Sequence, residues 1–125
     1  MFICTRNSAR SQLAAALWAE LSGHAALSAG THPATRVHPG AIAAAERAGL
    51  DLSARRPHEL AEIGPLPAIV VTVCDQAHEE LDGGPDWLHW SITDPVTAGT
   101  KAAFDRAVRE IRDRVQALVE SERTR

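Results

Sequence analysis

The chain has 125 residues, a length that fits one domain (residues 1–125) able to bury roughly two-thirds of the surface its unfolded form exposes. With 13 basic and 16 acidic side chains, a net charge of −3 and no basic stretch interleaved with aromatics, nucleic acid is excluded as an expected partner, and any anion must be attracted by local donors. No apolar run approaches the ~20 residues that span a bilayer, and two cysteines without a secretory segment point to a reducing, cytoplasmic compartment rather than a disulfide scaffold.

Residues 1–4 read as a short apolar strand, and residues 11–22, rich in Ala and Leu at helical spacing, read as a helix. A second strand is predicted over 25–29 and a helix over 39–48. Residues 68–74 (Ala-Ile-Val-Val-Thr-Val-Cys) form the clearest strand, because a continuous β-branched run needs burial on both faces, and they are assigned to the sheet centre. Trp87-Leu88-His89-Trp90 is a weaker strand. Residues 100–121 carry Ala103, Phe104, Ala107, Val108, Ile111, Val115, Leu118 and Val119 on one helical stripe, with charges such as Lys101, Arg106, Arg109, Glu110 and Arg112 on the solvated face. Gly64-Pro65-Leu66-Pro67 and Gly83-Gly84-Pro85 are loops. This alternation predicts an α/β fold with a parallel sheet and right-handed crossovers.

The segment Cys4-Thr5-Arg6-Asn7-Ser8-Ala9-Arg10-Ser11 places a thiol and a guanidinium at the two ends of a strand-to-helix loop. Free N–H groups and the positive end of the helix dipole converge there, which suits an oxyanion and lowers a cysteine pKa, so Cys4 is expected to be largely thiolate. Arg10 offers a planar fork for two oxygens of a phosphate or arsenate. Ser8 and Ala9 are small, so that the backbone can curl around the anion. Ser11 is expected to hydrogen-bond the Cys4 sulfur and Asn7 to pin the loop through its amide. Without this context Cys4 would be an ordinary buried thiol and Arg10 a solvated first-turn residue. Asp94-Pro95 alone reads as a turn or helix entry, and Cys74 alone as a small apolar strand end.

Taken together, the loop, Gln12 after it, Ser28-Ala29-Gly30-Thr31, Val37-His38-Pro39-Gly40-Ala41-Ile42, Asp51-Leu52-Ser53, Val71-Thr72-Val73-Cys74-Asp75 and His89-Trp90 with Asp94-Pro95 resemble the low-molecular-weight protein tyrosine phosphatase superfamily. Gln12, where the phosphatases usually carry proline, makes the chain more similar to the arsenate reductase branch. The resemblance implies a four-stranded parallel sheet flanked by helices in three layers, with the anion loop after the first strand. It implies Cys4 as nucleophile, Thr5, Arg6, Asn7, Ser8, Ala9 and Arg10 as the oxyanion cradle, and Asp94 as general acid. It also makes the first and third strands neighbours about 4.8 Å apart, close enough for Cys74 to act as resolving thiol through a Cys4–Cys74 disulfide. The implied activity is arsenate reduction with electrons from thioredoxin, glutaredoxin or mycoredoxin, or a low-molecular-weight thiol. No cofactor is expected.

Three departures stand beside the resemblance. Leu81 occupies the position of a third, shuttle cysteine, so an external thiol must reach the first disulfide or the arsenic adduct directly. Only three residues precede Cys4 where relatives have a fuller strand, which predicts a less stable fold as written and raises the alternative of an upstream start. Ala15 and His58 stand where acids hold potassium in some relatives, so that site is not carried over. His24, His32, His38, His58, His78 and His89 show no metal-ligand spacing, and no metal is expected. The rival activity is a phosphatase, against which stand Val96 after Pro95 and the absence of tyrosine, although Trp18, Trp87 or Trp90 could line a pocket. A non-catalytic oxyanion sensor is the third alternative.

Overall fold

The structure is a computed structural model and describes residues 1–81, 83 and 86–124; Asp82, Gly84 and Pro85, the last two in the predicted loop, and Arg125 lie outside them. In chain order the elements are β1 (Phe2–Cys4), α1 (Arg10–Ser22), β2 (Ser28–Gly30), α2 (Pro39–Arg47), a 3-10 turn (Leu60–Glu62), β3 (Val71–Thr72), α3 (Asp75–Glu80), β4 (Leu88–His89), α4 (Pro95–Ala98) and α5 (Lys101–Arg123). The four strands form one sheet in the order β2-β1-β3-β4, and every pairing is parallel. Cys4 is opposite Gly30, Ile3 opposite Thr72, and Thr72 opposite His89.

The middle of the sheet is apolar because β1 and β3 are covered on both faces. Phe2, Ile3, Val71 and Val73 are all buried, each contributing about 1.5–3 kcal/mol through lost contact with water. The predicted third strand is longer than the observed one. Ala68 is exposed and Ile69 half-buried, so the buried run starts at Val70, where the partner strand β1 begins to cover it. The second strand is likewise shifted toward its C-terminal end, at Ser28–Gly30.

Helix α5 follows the predicted stripe, with Phe104, Ala107, Val108, Ile111, Val115 and Val119 buried and Ala103 and Leu118 at its margin. The Thr100 hydroxyl accepts from the Ala103 N–H at 3.1 Å, which satisfies one orphan donor and fixes where this helix starts. Helix α1 is buried almost all round from Ser11 to Leu17, which explains why its sequence is dominated by alanine and leucine. The predicted helices over 39–48 and 100–121 correspond to α2 and α5. Two short helices, α3 and α4, have no counterpart in the prediction.

Candidate active site

The loop from Cys4 to Arg10 joins the C-terminal end of β1 to α1. Its carbonyls are turned outward: those of Cys4, Thr5, Arg6 and Ser8 accept from the N–H groups of Thr31, His32, Ala34 and His38 at 2.8–3.2 Å. Gly30 makes this close approach possible, because a Cβ there would lie 2.7 Å from the Thr5 carbonyl oxygen. At the other end Ala9 is the N-cap of α1 and provides no side-chain cap, so the first N–H groups of the helix are not satisfied by a capping side chain. Asn7 adopts φ 51°, a left-handed conformation that asparagine tolerates better than most residues.

A buried relay surrounds the Cys4 sulfur. The Asn7 N–H donates to Cys4 Sγ at 3.1 Å, and Ser11 Oγ lies 2.8 Å from the same sulfur. Asn7 Nδ2 donates to Ser11 Oγ at 2.7 Å, leaving the serine hydroxyl hydrogen free to point at Cys4. The Asn7 amide cannot flip, because its Oδ1 accepts from the His58 N–H at 2.9 Å and from Gln12 Nε2 at 3.1 Å. Ser11 and Asn7 thus stand as the sequence predicts.

The charge state does not. Burial pushes the Cys4 thiol above its ordinary value, outweighing the Ser11 hydroxyl and the N–H groups of Ser11 and Asn7, which draw it down, while negative charge on Cys74 would raise it further. The expectation of a mainly thiolate Cys4 counted the donors and the helix dipole but not desolvation of a residue that is only 3% exposed.

Above the loop lies a cavity of about 710 Å³. Of the residues predicted for the site, Thr5, Arg6, Arg10, Cys74 and Asp94 line it, whereas Cys4, Asn7, Ser8, Ala9 and Ser11 are not part of its lining. Arg10 reaches across its mouth, donating to the Ile92 carbonyl at 2.8 Å and standing 3.8 Å from an Asp94 oxygen. Asp94 caps α4, accepting from the Val96 N–H at 3.0 Å and the Thr97 hydroxyl at 3.2 Å. It is therefore both the helix-entry residue and a wall of the cavity. Cys74 caps α3, accepting from the Ala77 N–H at 3.4 Å, and its sulfur lies 3.2 Å from Thr5 Oγ1. The two cysteines are free thiols.

No tryptophan lines the cavity. Trp90 is buried with its ring 5.8 Å from that of Phe2, and the Trp18 ring lies 6.3 Å from the same phenyl. Sequence reasoning missed His32, Asp75, Gln76 and Ser91 on the cavity wall. The only available signal was the position of Asp75 and Gln76 directly after Cys74. Among the described residues no group of three or more His, Cys, Asp and Glu is placed to hold a metal ion, and no helix is long and apolar enough to cross a membrane.

The family model described as low molecular weight phosphotyrosine protein phosphatase matches residues 1–124. The chain belongs to this family. Within it, the chain is 30% identical over 128 residues to the glutaredoxin arsenate reductase of Synechocystis sp., covering 95% of this chain and 94% of that protein. It is 33% identical over 127 residues to an arsenate reductase of Bacillus cereus, covering 95% and 92%. The crystal structure of arsenate reductase from Archaeoglobus fulgidus superimposes with a TM-score of 0.81 at 29% identity, covering 95% of this chain and 97% of that one. Family membership, the parallel four-stranded sheet and a cavity at the C-terminal ends of its strands thus agree with one another.

Proposed function

We propose that this chain is a thiol-dependent arsenate reductase in which Cys4 is the nucleophile, Arg10 and the amides of residues 5–10 hold the oxyanion, Asp94 is the general acid and Cys74 resolves the adduct. The observation that carries the reading is the second thiol on the wall of the cavity, 3.2 Å from the hydroxyl of Thr5, the residue that follows Cys4. A phosphatase needs no such group, since water completes its turnover.

In the first step the Cys4 sulfur displaces one arsenate oxygen. The thiol proton and a proton delivered by Asp94 balance its departure as water, and arsenic remains pentavalent. Donors fixed before the anion arrives contribute most of the rate enhancement, and the covalent adduct divides the reaction into two easier steps. In the second step Cys74 attacks the Cys4 sulfur. The S–S bond forms, the S–As bond breaks with its electron pair passing to arsenic, and arsenite leaves with the Cys74 proton. An external dithiol or two small thiols then reduce the disulfide. With Leu81 in place of a third cysteine, thioredoxin, glutaredoxin, mycoredoxin or a low-molecular-weight thiol acts on Cys4–Cys74 itself, in the reducing cytoplasm.

The test is arsenite release from arsenate with each reductant supplied in turn, beside hydrolysis of an aryl phosphate by the same preparation. The expected result is arsenite release with at least one thiol donor, abolished in Cys4→Ser. Aryl phosphate hydrolysis without any arsenite under all reductants overturns the reductase in favour of the phosphatase. Oxyanion binding with neither activity points to the sensor.

A further inference from the structure

We infer that His89 is a positioning residue for the second thiol, because one imidazole ring grips the chain on both sides of Cys74. Its Nδ1 lies 2.7 Å from Thr72 Oγ1, two residues before the cysteine, and its Nε2 lies 2.8 Å from Asp75 Oδ1, the residue after it. Asp75 accepts only, so Nε2 carries the hydrogen of that bond, while Nδ1 and the Thr72 hydroxyl share the other. The clasp is braced from two further sides. Ser91 Oγ donates to the other Asp75 oxygen at 3.1 Å, and the His78 ring of α3 stacks on His89 at 4.0 Å with 17° between planes. The hydrogen bonds from His89 and Ser91 hold the Asp75 carboxyl below its ordinary range, as a carboxylate suited to this grip.

The register explains how the clasp reaches across Cys74. Thr72 is the cross-strand partner of His89, so a side-chain bond between them is ordinary for a parallel pair. The bond to Asp75 is not part of the ladder. It ties the start of α3 to β4 and spans the Val73–Cys74 peptide. With both flanks held, the Cys74 side chain is left facing Thr5 at 3.2 Å and the Ala77 N–H at 3.4 Å, toward the Cys4 loop. Releasing the flanks lets the sulfur sample other directions and lowers its effective concentration at Cys4.

This inference rests on the two-thiol chemistry proposed above, but its test needs no arsenate. Diamide takes up two electrons and two protons as the two thiols become a disulfide. The rate of that closure in the full chain is followed by quenching and mass analysis. His89→Ala is expected to slow Cys4–Cys74 closure on the order of tenfold, and His89→Gln, which can still donate to Asp75 but not also reach Thr72, to slow it by less. His89→Gln also keeps size and polarity if the alanine variant does not fold. Alkylation of Cys4 by iodoacetamide, measured with Cys74→Ser in the background, is expected to stay within twofold, a readout that general loosening of the fold would move. Closure at the wild-type rate in the folded variants overturns the positioning role, as does an equal slowing of Cys4 alkylation. Wild-type protein that closes the disulfide yet releases no arsenite from arsenate overturns the reductase reading and leaves the His89 result standing. Wild-type protein that never forms Cys4–Cys74 overturns both.

Discussion

Thr5 joins the two thiols: its backbone belongs to the loop that follows Cys4, and its hydroxyl lies 3.2 Å from the Cys74 sulfur. The Cys74 thiol is thus held against the same loop that would carry the proposed arsenic adduct. Cys74→Ser is expected to preserve aryl phosphate hydrolysis and to abolish arsenite release if the internal disulfide is on the path. Mass spectrometry of arsenate-treated, reductant-free enzyme checks this. A loss of two hydrogens mapped to Cys4–Cys74 is the expected result, and two free thiols after reaction exclude Cys74 as the resolving group.

The burial of Cys4 gives a pH dependence with a defined sign. Its thiol is held above the ordinary value of 9.0 in the folded chain, so the unfolded chain loses this proton first as pH rises. The folded state then binds more protons than the unfolded state, and stability falls as pH climbs from about 9 toward the raised folded value. Below that window the group contributes no pH dependence. Denaturant titrations across pH 8–11 are expected to show this decline in the wild type and a flatter profile in Cys4→Ala. Ser11→Ala, which removes the hydroxyl 2.8 Å from the sulfur, is expected to move Cys4 alkylation to still higher pH. A shift to lower pH contradicts the relay.

Gln12 carries more of the site than its sequence position suggests. Its Nε2 sits 3.1 Å from the Asn7 carbonyl, 3.1 Å from Asn7 Oδ1 and 3.0 Å from the Arg56 carbonyl. The one amide tethers the residue whose left-handed φ shapes the loop and ties it to the segment before His58. Gln12→Met keeps the volume and removes the donor. It is expected to cost about 1–3 kcal/mol, the usual penalty for stranding buried acceptors, and to slow Cys4 alkylation at fixed pH. Unchanged values for both would show that the bonds of Asn7 to the His58 N–H and the Ser11 hydroxyl hold it without Gln12.

Much of this was legible in the sequence because period and burial agree. The β-branched run ending at Cys74 and the apolar stripe from Phe104 to Val119 admit one reading each, and the thiol, arginine and serine of the loop are local enough to be read by spacing. What escaped is short or long-range. Helix α3 has 6 residues and a cysteine cap, too few for periodicity and without the Ser, Thr, Asp or Asn that marks most helix starts. The grip of His89 on Thr72 and Asp75 links residues 17 and 14 positions apart, which no spacing rule reaches. The raised Cys4 thiol escaped for a different reason: its donors are written in the loop, whereas its desolvation comes from the whole fold.

The same helix decides how Leu81 behaves. Cys74 is the N-cap of α3 and Leu81 its C-cap, the Leu81 N–H donating to the Ala77 carbonyl at 3.1 Å. Seven helical steps at about 1.5 Å place the two residues roughly 10 Å apart, beyond the ~7 Å that a disulfide allows. Leu81 is also half-buried against the core, so a thiol there starts from a packed position rather than an exposed one. A relay restored by Leu81→Cys therefore requires α3 to unwind, and Gly84, one of the two glycines that would ease such a movement, lies outside the described residues. The expected outcome of Leu81→Cys is that diamide or arsenate still closes Cys4–Cys74 first, with no rise in thioredoxin-coupled turnover. Peptide mapping over the time course checks this. A Cys74 bond to the introduced thiol, appearing as fast as Cys4–Cys74 and accompanied by faster turnover, would show that α3 opens within the catalytic cycle and that the missing thiol was all the relay lacked.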